Sequence, residues 1–426
     1  MPTKTSFPKD KIRVVLLENI HPRAAELFEE EGFRVERVPK AHEGARLVEI
    51  ASDAHVLGIR SQSQVRAPEF KAWHRMLSVG CFCIGTNQVD TRAACLAGVP
   101  VFNSPFSNTR SVAELTIAEI VALHRRLADK SAQLHEGRWD KSATGAHEVR
   151  GRTLGIVGYG RIGSQVSVLA EAMGMRVVYY DIASVLPMGN ARPVKTLDDL
   201  LAQADVVTLH VPATKKTERM IAAGQIARMR EGSYLINNAR GSVVDIPALA
   251  AGIKGGRIAG AALDVFPKEP SSNAEAFASE IRGLANVILT PHIGGSTEEA
   301  QAAIAEDVAT KLIRFVNNGS TTGAVNVPQV DLPEQDEVGA VEDGAGERRA
   351  PKHRHHRILH FHRNVPGVLS KINTVMAELG VNIAGQYLKT NEDVGYVVLD
   401  VAPTNADQIS DRLKAIPETI RVRMLW

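Results

Sequence analysis

The chain has 426 residues, enough for two or three domains with full cores, which excludes a small scaffold held by covalent staples. Its 50 Lys plus Arg stand against 48 Asp plus Glu, a formal +2 with no basic block, so the charge pattern does not point to nucleic acid. Three cysteines, Cys81, Cys83 and Cys95, argue against a disulfide framework. With the polar residues 1–11 and the apolar run 115–123 interrupted by Glu119, they predict a cytoplasmic protein that neither spans nor crosses a membrane.

Apolar residues make up 44% of the chain but aromatics only 5%, so the cores are mostly Val, Ile, Leu and Ala, as suits buried parallel strands under helices. Residues 12–17 read as a strand, 21–31 as a helix, and 54–59 as a strand ending at Arg60. A second series begins at Arg152, with strands at 153–158, 176–181, 205–210, 233–239, 260–265 and 286–291. Six strands with helices between them predict a doubly wound parallel sheet, and the class α/β. Residues 296–317 read as one long helix, N-capped by Ser296 or Thr297 and followed by Gly319, returning the chain to its first domain. From Val327 to about His356, Pro328, Pro333 and Pro351 lie among charged residues and glycines and predict a linker with little to bury. The segments 358–362, 367–379, 382–389, 395–401, 407–415 and 420–425 then run strand, helix, strand, strand, helix, strand, the βαββαβ order.

The strand at 153–158 runs into Gly158-Tyr159-Gly160-Arg161-Ile162-Gly163 and then into a helical pattern. Glycines at these spacings permit a tight turn, close approach to a pyrophosphate and close packing of helix on strand, with the helix N-terminus facing the phosphates. The next strand ends at Asp181, whose carboxylate would accept from ribose hydroxyls and repel a 2′-phosphate, which favours NAD over NADP. Ligands of such sheets gather at the carboxyl ends of the strands, where three ends carry reactive groups: Arg240, then Asp264 and Glu269, then His292. A guanidinium grips a carboxylate through two parallel hydrogen bonds. An imidazole moves a proton near neutral pH, and a neighbouring carboxylate fixes its tautomer and raises its pKa. With a nicotinamide this is hydride-transfer chemistry, in which Arg240 binds a 2-oxo acid, His292 moves the proton and Glu269 supports His292.

Gly158 to Gly163, Asn238-Ala239-Arg240-Gly241, Asp264 to Pro270 and Thr290-Pro291-His292-Ile293-Gly294-Gly295 resemble the D-isomer-specific 2-hydroxyacid dehydrogenases. The stretches 84–90 and 106–114 and the βαββαβ tail, which looks like an ACT regulatory domain, are similar to the branch that oxidises 3-phospho-D-glycerate to 3-phosphohydroxypyruvate, the first step of phosphorylated serine synthesis. The resemblance implies a substrate-binding domain at 1–107 completed by 296–327, an NAD-binding Rossmann domain at 108–295, a charged linker at 328–356 and an ACT domain at 357–426. It places cofactor contacts at Arg161, Ile162, Asp181, Asn238, Ala239, Arg240, Asp264, His292, Ile293, Gly294 and Gly295. It implies substrate contacts from Asn108, from Arg60 and Ser61 toward the phosphate, and from Lys141 across a subunit interface. Gln62 departs from the branch, where a second arginine is expected.

In the tail, His362, Asn364 and Asn382 carry groups that can bond the ammonium and carboxylate of a small amino acid, and the resemblance implies L-serine there, between ACT domains of a homotetramer or homodimer. The run of His353, His355, His356, His360 and His362 lacks a zinc-like spacing, and no metal is expected. Cys81 and Cys83 read as small buried hydrophobes. Reduction of 2-oxoglutarate is an implied side activity. Two other readings stay open: a corepressor-type NAD(H)-sensing binding protein, and a dehydrogenase for an unphosphorylated D-2-hydroxy acid.

Overall fold

A computed structural model describes residues 7–270, 275–333, 337–338, 352–353, 355–402 and 406–425. The chain forms two units, one of residues 1–105 with 301–426 and one of 106–300.

The first unit opens with strands β1 (Arg13–Leu17), β2 (Arg34–Val38), β3 (Val56–Ile59), β4 (Ser78–Cys81) and β5 (Val101–Asn103) and helices α1 (Pro22–Glu30), α2 (Gly44–Ile50), α3 (Ala67–Ala72) and α4 (Thr91–Leu96). The strands pair in parallel in the order β2-β1-β3-β4-β5. Because side chains alternate across a strand, Val14 and Leu16 of β1 enter one core and Val15 and Leu17 the other, so the sheet is buried on both faces. Only β1 and β3 stand out in the sequence as apolar runs. The β2 sequence Arg-Val-Glu-Arg-Val carries three charged residues on an edge strand, and β5 is three residues long.

The second unit contains α5 (Thr109–Arg125), α6 (Leu127–His135), β6 (Thr153–Val157), α7 (Arg161–Ala172), β7 (Arg176–Tyr180), β8 (Arg192–Pro193), α8 (Leu197–Gln203), β9 (Val206–Leu209), α9 (Ala223–Arg228), β10 (Ser233–Asn237), α10 (Ile246–Lys254), β11 (Ile258–Leu263) and β12 (Val287–Leu289). Its seven strands are ordered β12-β11-β10-β9-β6-β7-β8 and all pair in parallel. The six expected strands are all present, joined by the two-residue β8. The order reverses beside β6, so the crevice at the end of that strand is the switch point at which doubly wound sheets take ligands.

Back in the first unit, α11 (Glu298–Asn318) covers the first sheet. The expectation that little is buried from Val327 onward is corrected at its start. Val327, Val330 and Leu332 are buried in the same core as β1, and the Thr321 hydroxyl accepts from Val330 N and donates to Pro328 O. Single apolar residues between prolines carry no periodicity, which is why composition alone misread them. Strands β13 (Glu337–Val338) and β14 (Lys352–His353) pair briefly; Arg348, Arg349 and Pro351 lie outside the described residues.

The tail then forms β15 (His356–Arg363), α12 (Val368–Glu378), β16 (Ile383–Thr390), β17 (Val394–Val401), α13 (Ala406–Lys414) and β18 (Thr419–Leu425), the expected βαββαβ order, as an antiparallel sheet β16-β17-β15-β18. One face of it, with Ile358, Val397 and Leu399, lies under α12 and α13. The other, with Leu359, Phe361, Tyr396 and Val398, joins the core of the first sheet and α11. Arg357 is buried at that seam, with a two-point bond to Asp400 at 2.7 and 2.8 Å and further bonds to Asn318 O and Pro333 O. Cys81 and Cys95 are buried, whereas Cys83 packs against the same core as Cys81 but is only half-buried, its thiol donating to Gly85 O, which corrects the expectation of full burial. No described helix is long and apolar enough to cross a membrane.

Candidate active site

The turn after β6 is built by glycines for steric reasons. Gly158 has φ +92°, and a Cβ there would collide with His210 O, while one on Gly163 would strike Gly158 O and separate α7 from its strand. Gly160 instead faces open space before the first turn of α7, where an anion would meet free backbone N–H groups. Asp181, one residue past β7, accepts from Tyr159 N at 2.7 Å and Ala183 N at 2.9 Å and stays half-exposed, so it braces the turn while keeping lone pairs for a ribose. Arg161 is exposed and stacks over Phe106 at 3.8 Å from the ring centroid. Open space at the helix N-terminus and a carboxylate at the end of the next strand fit a dinucleotide.

The ends of β10, β11 and β12 bring Arg240, Glu269 and His292 together. His292 Nδ1 lies 2.9 Å from Glu269 Oε2, and Glu269 Oε1 accepts from Phe266 N at 3.1 Å. The bond to Glu269 raises the His292 pKa above its ordinary value, against the opposing effects of burial and of Arg240. Burial alone would raise the Glu269 carboxyl, but bonds from His292 and Phe266 N and the nearby His292 and Arg240 charges carry it below the usual range. The pair is therefore poised as a carboxylate holding one imidazole nitrogen, leaving Nε2 for proton transfer. His292 has φ +55°, and its N–H bonds to Asp264 O and Thr290 O hold that turn.

Asp264 is 1% exposed. Its Oδ1 accepts from the Thr290 hydroxyl at 2.6 Å and Ile293 N at 2.8 Å, and its Oδ2 from Gly294 N at 2.7 Å. It thus clamps the loop that carries His292. Asn238 turns its amide toward α5, donating to Thr116 Oγ1 and Glu119 Oε2, while its buried Oδ1 has no partner among the described residues. Asn108 packs on Gly295 with its Oδ1 similarly buried and unpaired. Lys141 is exposed after α6, and among the described residues no hydrogen bond or ion pair joins it to the strand-end group.

Sequence reasoning missed three supports. Asn237 accepts from Ala239 N and donates to Arg240 O, folding the loop that presents Arg240. Glu119 is buried, which pushes its carboxyl up to about 7. In the first unit, Glu18, buried and at φ +60°, accepts from the N–H groups of Arg60, Gln62 and Ser63, while the Gln88 amide donates to Arg60 O. The residues adjoining those already chosen, Asn237 beside Asn238 above all, were the only local signal; the others act over long sequence separations.

In the tail, His362 Nδ1 is bonded to Arg363 O and its buried Nε2 has no partner among the described residues, and exposed Asn364 donates to Asn391 O. His362 pairs with Gly395 at the start of β17, whereas Asn382 precedes Ile383, which pairs with Val401 at its end. At about 3.4 Å per residue these positions are roughly 20 Å apart, so one chain does not unite the three residues. His360 bonds Thr419 Oγ1 and is buried, which lowers its pKa to about 3. Among the described residues no group of three or more His, Cys, Asp or Glu is placed to hold a metal.

This arrangement, a dinucleotide turn and an Arg, Glu, His group on the strand ends of one doubly wound sheet, defines a nicotinamide-dependent dehydrogenase of 2-hydroxy acids. A family model described as D-isomer specific 2-hydroxyacid dehydrogenase, NAD binding domain, matches residues 117–294, and one described as AHAS small subunit-like ACT domain matches 358–421. Curated relatives include D-3-phosphoglycerate dehydrogenases of Haemophilus influenzae, 48% identical over 100% of both chains, and of Escherichia coli, 47% identical over 99% of this chain and 100% of that one. Among solved structures, a protein from Thermus thermophilus is 31% identical with a TM-score of 0.65, covering 72% of this chain and 97% of its own. D-Lactate dehydrogenase from Aquifex aeolicus, complexed with NAD and lactic acid, is 27% identical with a TM-score of 0.62, over 71% and 95%. The chain belongs to the D-isomer-specific 2-hydroxyacid dehydrogenase family.

Proposed function

We propose that this chain oxidises 3-phospho-D-glycerate to 3-phosphohydroxypyruvate with NAD, the first step of phosphorylated L-serine synthesis in the cytoplasm, and reduces 2-oxoglutarate as a side activity. The observation that carries the reading is the 2.9 Å Glu269–His292 pair, set with Arg240 on strand ends of the sheet that holds the dinucleotide turn, in a chain matched end to end by D-3-phosphoglycerate dehydrogenases.

In the proposed reaction, Arg240 grips the substrate carboxylate through its fork and His292 Nε2 takes the proton of the C2 hydroxyl. Glu269 fixes the tautomer that leaves Nε2 free and stabilises the imidazolium that results. Bound NAD supplies the acceptor for the hydride that leaves C2, and the glycine turn with Asp181 holds it. Arg60, with Ser61, is assigned to the substrate phosphate, Asn108 to substrate positioning and Lys141 to a neighbouring subunit's substrate.

L-Serine is proposed as a feedback effector held by His362 and Asn364 of one copy and Asn382 of another, a reading supported by the separation of these residues along β17. It requires a homodimer or homotetramer. The test is NADH oxidation with phosphohydroxypyruvate, 2-oxoglutarate and pyruvate, with and without L-serine. Fastest turnover on the phosphorylated acid, slowed by serine, is the expected result. Turnover only on an unphosphorylated acid would overturn the substrate assignment, and NADH binding without turnover would overturn the enzymatic one.

A further inference from the structure

The first unit contains a second concentration of charge, independent of the catalytic and effector readings. A cavity of about 690 Å³ is lined by Lys11, Arg13, Arg34 and Arg75 from the region of the first sheet and by Arg421 and Arg423 from β18. The only carboxylates in its lining are Asp10 and Asp53, and Asp53 is already paired with Arg13. Arg421 and Arg423, two apart on a strand, point to one face, the face turned to the first sheet. Their bonds go to backbone carbonyls: Arg421 to Met76 O, Arg423 to Phe315 O and Val316 O. Among the described residues no carboxylate pairs with Lys11, Arg34, Arg75, Arg421 or Arg423. Burial lowers the pKa of Arg423 to about 10, and in the same cavity burial, Arg75 and Arg423 hold His55 below its usual value. Arg421 and Arg423 are partly buried without a counter-charge, which is costly, and the cost falls when an anion joins them; Lys11, Arg34 and Arg75 add exposed charge at the rim.

We propose that this cavity is a binding site for a compact polyanion of phosphoryl groups, held between the first sheet and the ACT sheet. The chemistry follows from the lining. Guanidinium forks match phosphoryl oxygens in pairs, and the six cations come from four chain segments, so a ligand must present charge in several directions at once. The volume exceeds what one phosphate fills and lies in the range that small-molecule ligands occupy. A nucleoside triphosphate and an inorganic polyphosphate share the required chemistry. Either would cross-link Arg34 and Arg75 to Arg421 and Arg423.

The test is calorimetric titration of the full-length protein with tripolyphosphate, with inorganic phosphate and ATP as comparators. Arg34→Gln with Arg75→Gln alters two exposed side chains that make no ion pair, so the fold and the turnover of substrate are expected to persist, and a melting curve checks the former. Tripolyphosphate is expected to bind the unaltered chain well above inorganic phosphate, and the double variant to lose about tenfold or more, the scale of one or two charge-assisted bonds. Arg60→Gln, remote from the cavity lining, should leave that affinity unchanged. Equal or tighter binding of ATP assigns a nucleotide, and much weaker binding an inorganic polyphosphate. No saturable binding of either, or affinity that the double variant keeps and Arg60→Gln loses, would overturn the proposal.

Discussion

At the carboxyl end of the first sheet, Glu18 accepts three backbone N–H groups from residues 60, 62 and 63; at that of the second, Asp264 accepts two, from residues 293 and 294, with the Thr290 hydroxyl. Both carboxylates are buried, and both hold a loop that carries a proposed functional cation or imidazole. What differs is the loop. The first presents Arg60, a permanent charge needing only position. The second presents His292, which must be placed and also tuned, and there Glu269 stands beside it. Buried anchoring is thus common to both ends, whereas proton chemistry needs a second, more exposed carboxylate whose charge can respond to the imidazole.

The sharpest break in this comparison is His292→Asn, expected to lower turnover by about 10²–10⁴-fold with little change in NADH binding, as measured by fluorescence titration. Asp264→Asn puts an amide N–H against a backbone donor and loosens the loop; a fall in kcat of about 10²-fold is expected with the fold intact by circular dichroism. Glu269→Gln should cost about tenfold or more and also move the acid limb of the oxidation profile to lower pH. The sign follows from the raised His292 pKa: the neutral base is lost as pH falls through it, and without Glu269 that loss comes later.

Glu119 provides the contrast of a buried carboxyl without the N–H groups that Glu18 enjoys. Burial pushes it up to about 7, so the unfolded chain releases its proton first and stability falls as pH rises from about 4.5 toward 7. Glu119→Gln should remove that slope, with a gain of at most about 3 kcal/mol at pH 8 in denaturant titrations. Glu18→Gln, the mildest, should destabilise by about 1–3 kcal/mol while kcat on an unphosphorylated 2-oxo acid stays unchanged.

The parts of this site that could be seen in the sequence are those whose signal is local. Gly158 to Gly163 follows an apolar run and opens a helix, and Arg240, Glu269 and His292 each sit just past a strand, so periodicity alone placed them on one edge. Glu18 braces residues more than forty positions away, and Glu119 meets Asn238 across 119 positions, so neither has a neighbour in sequence to reveal it. The fold was legible where strands were apolar on both faces, as in β6 and β10, and illegible in β2, whose charges face solvent at an edge. Val330 and Leu332 disappeared among prolines because burial there depends on a core contributed by β1 and α11.

Leu359, Phe361 and Tyr396 share a core with Val308, Leu312 and Phe315 of α11. The tail is therefore no detachable appendage. A chain cut after residue 333 would expose a contiguous oily surface on α11, and such a fragment should self-associate or precipitate where the whole chain stays dispersed. Any loss of catalysis in that fragment would then report a ruined neighbour as much as a missing regulator. Separating control from chemistry in this molecule calls for single substitutions, since scissors remove part of the wall that the first sheet leans on.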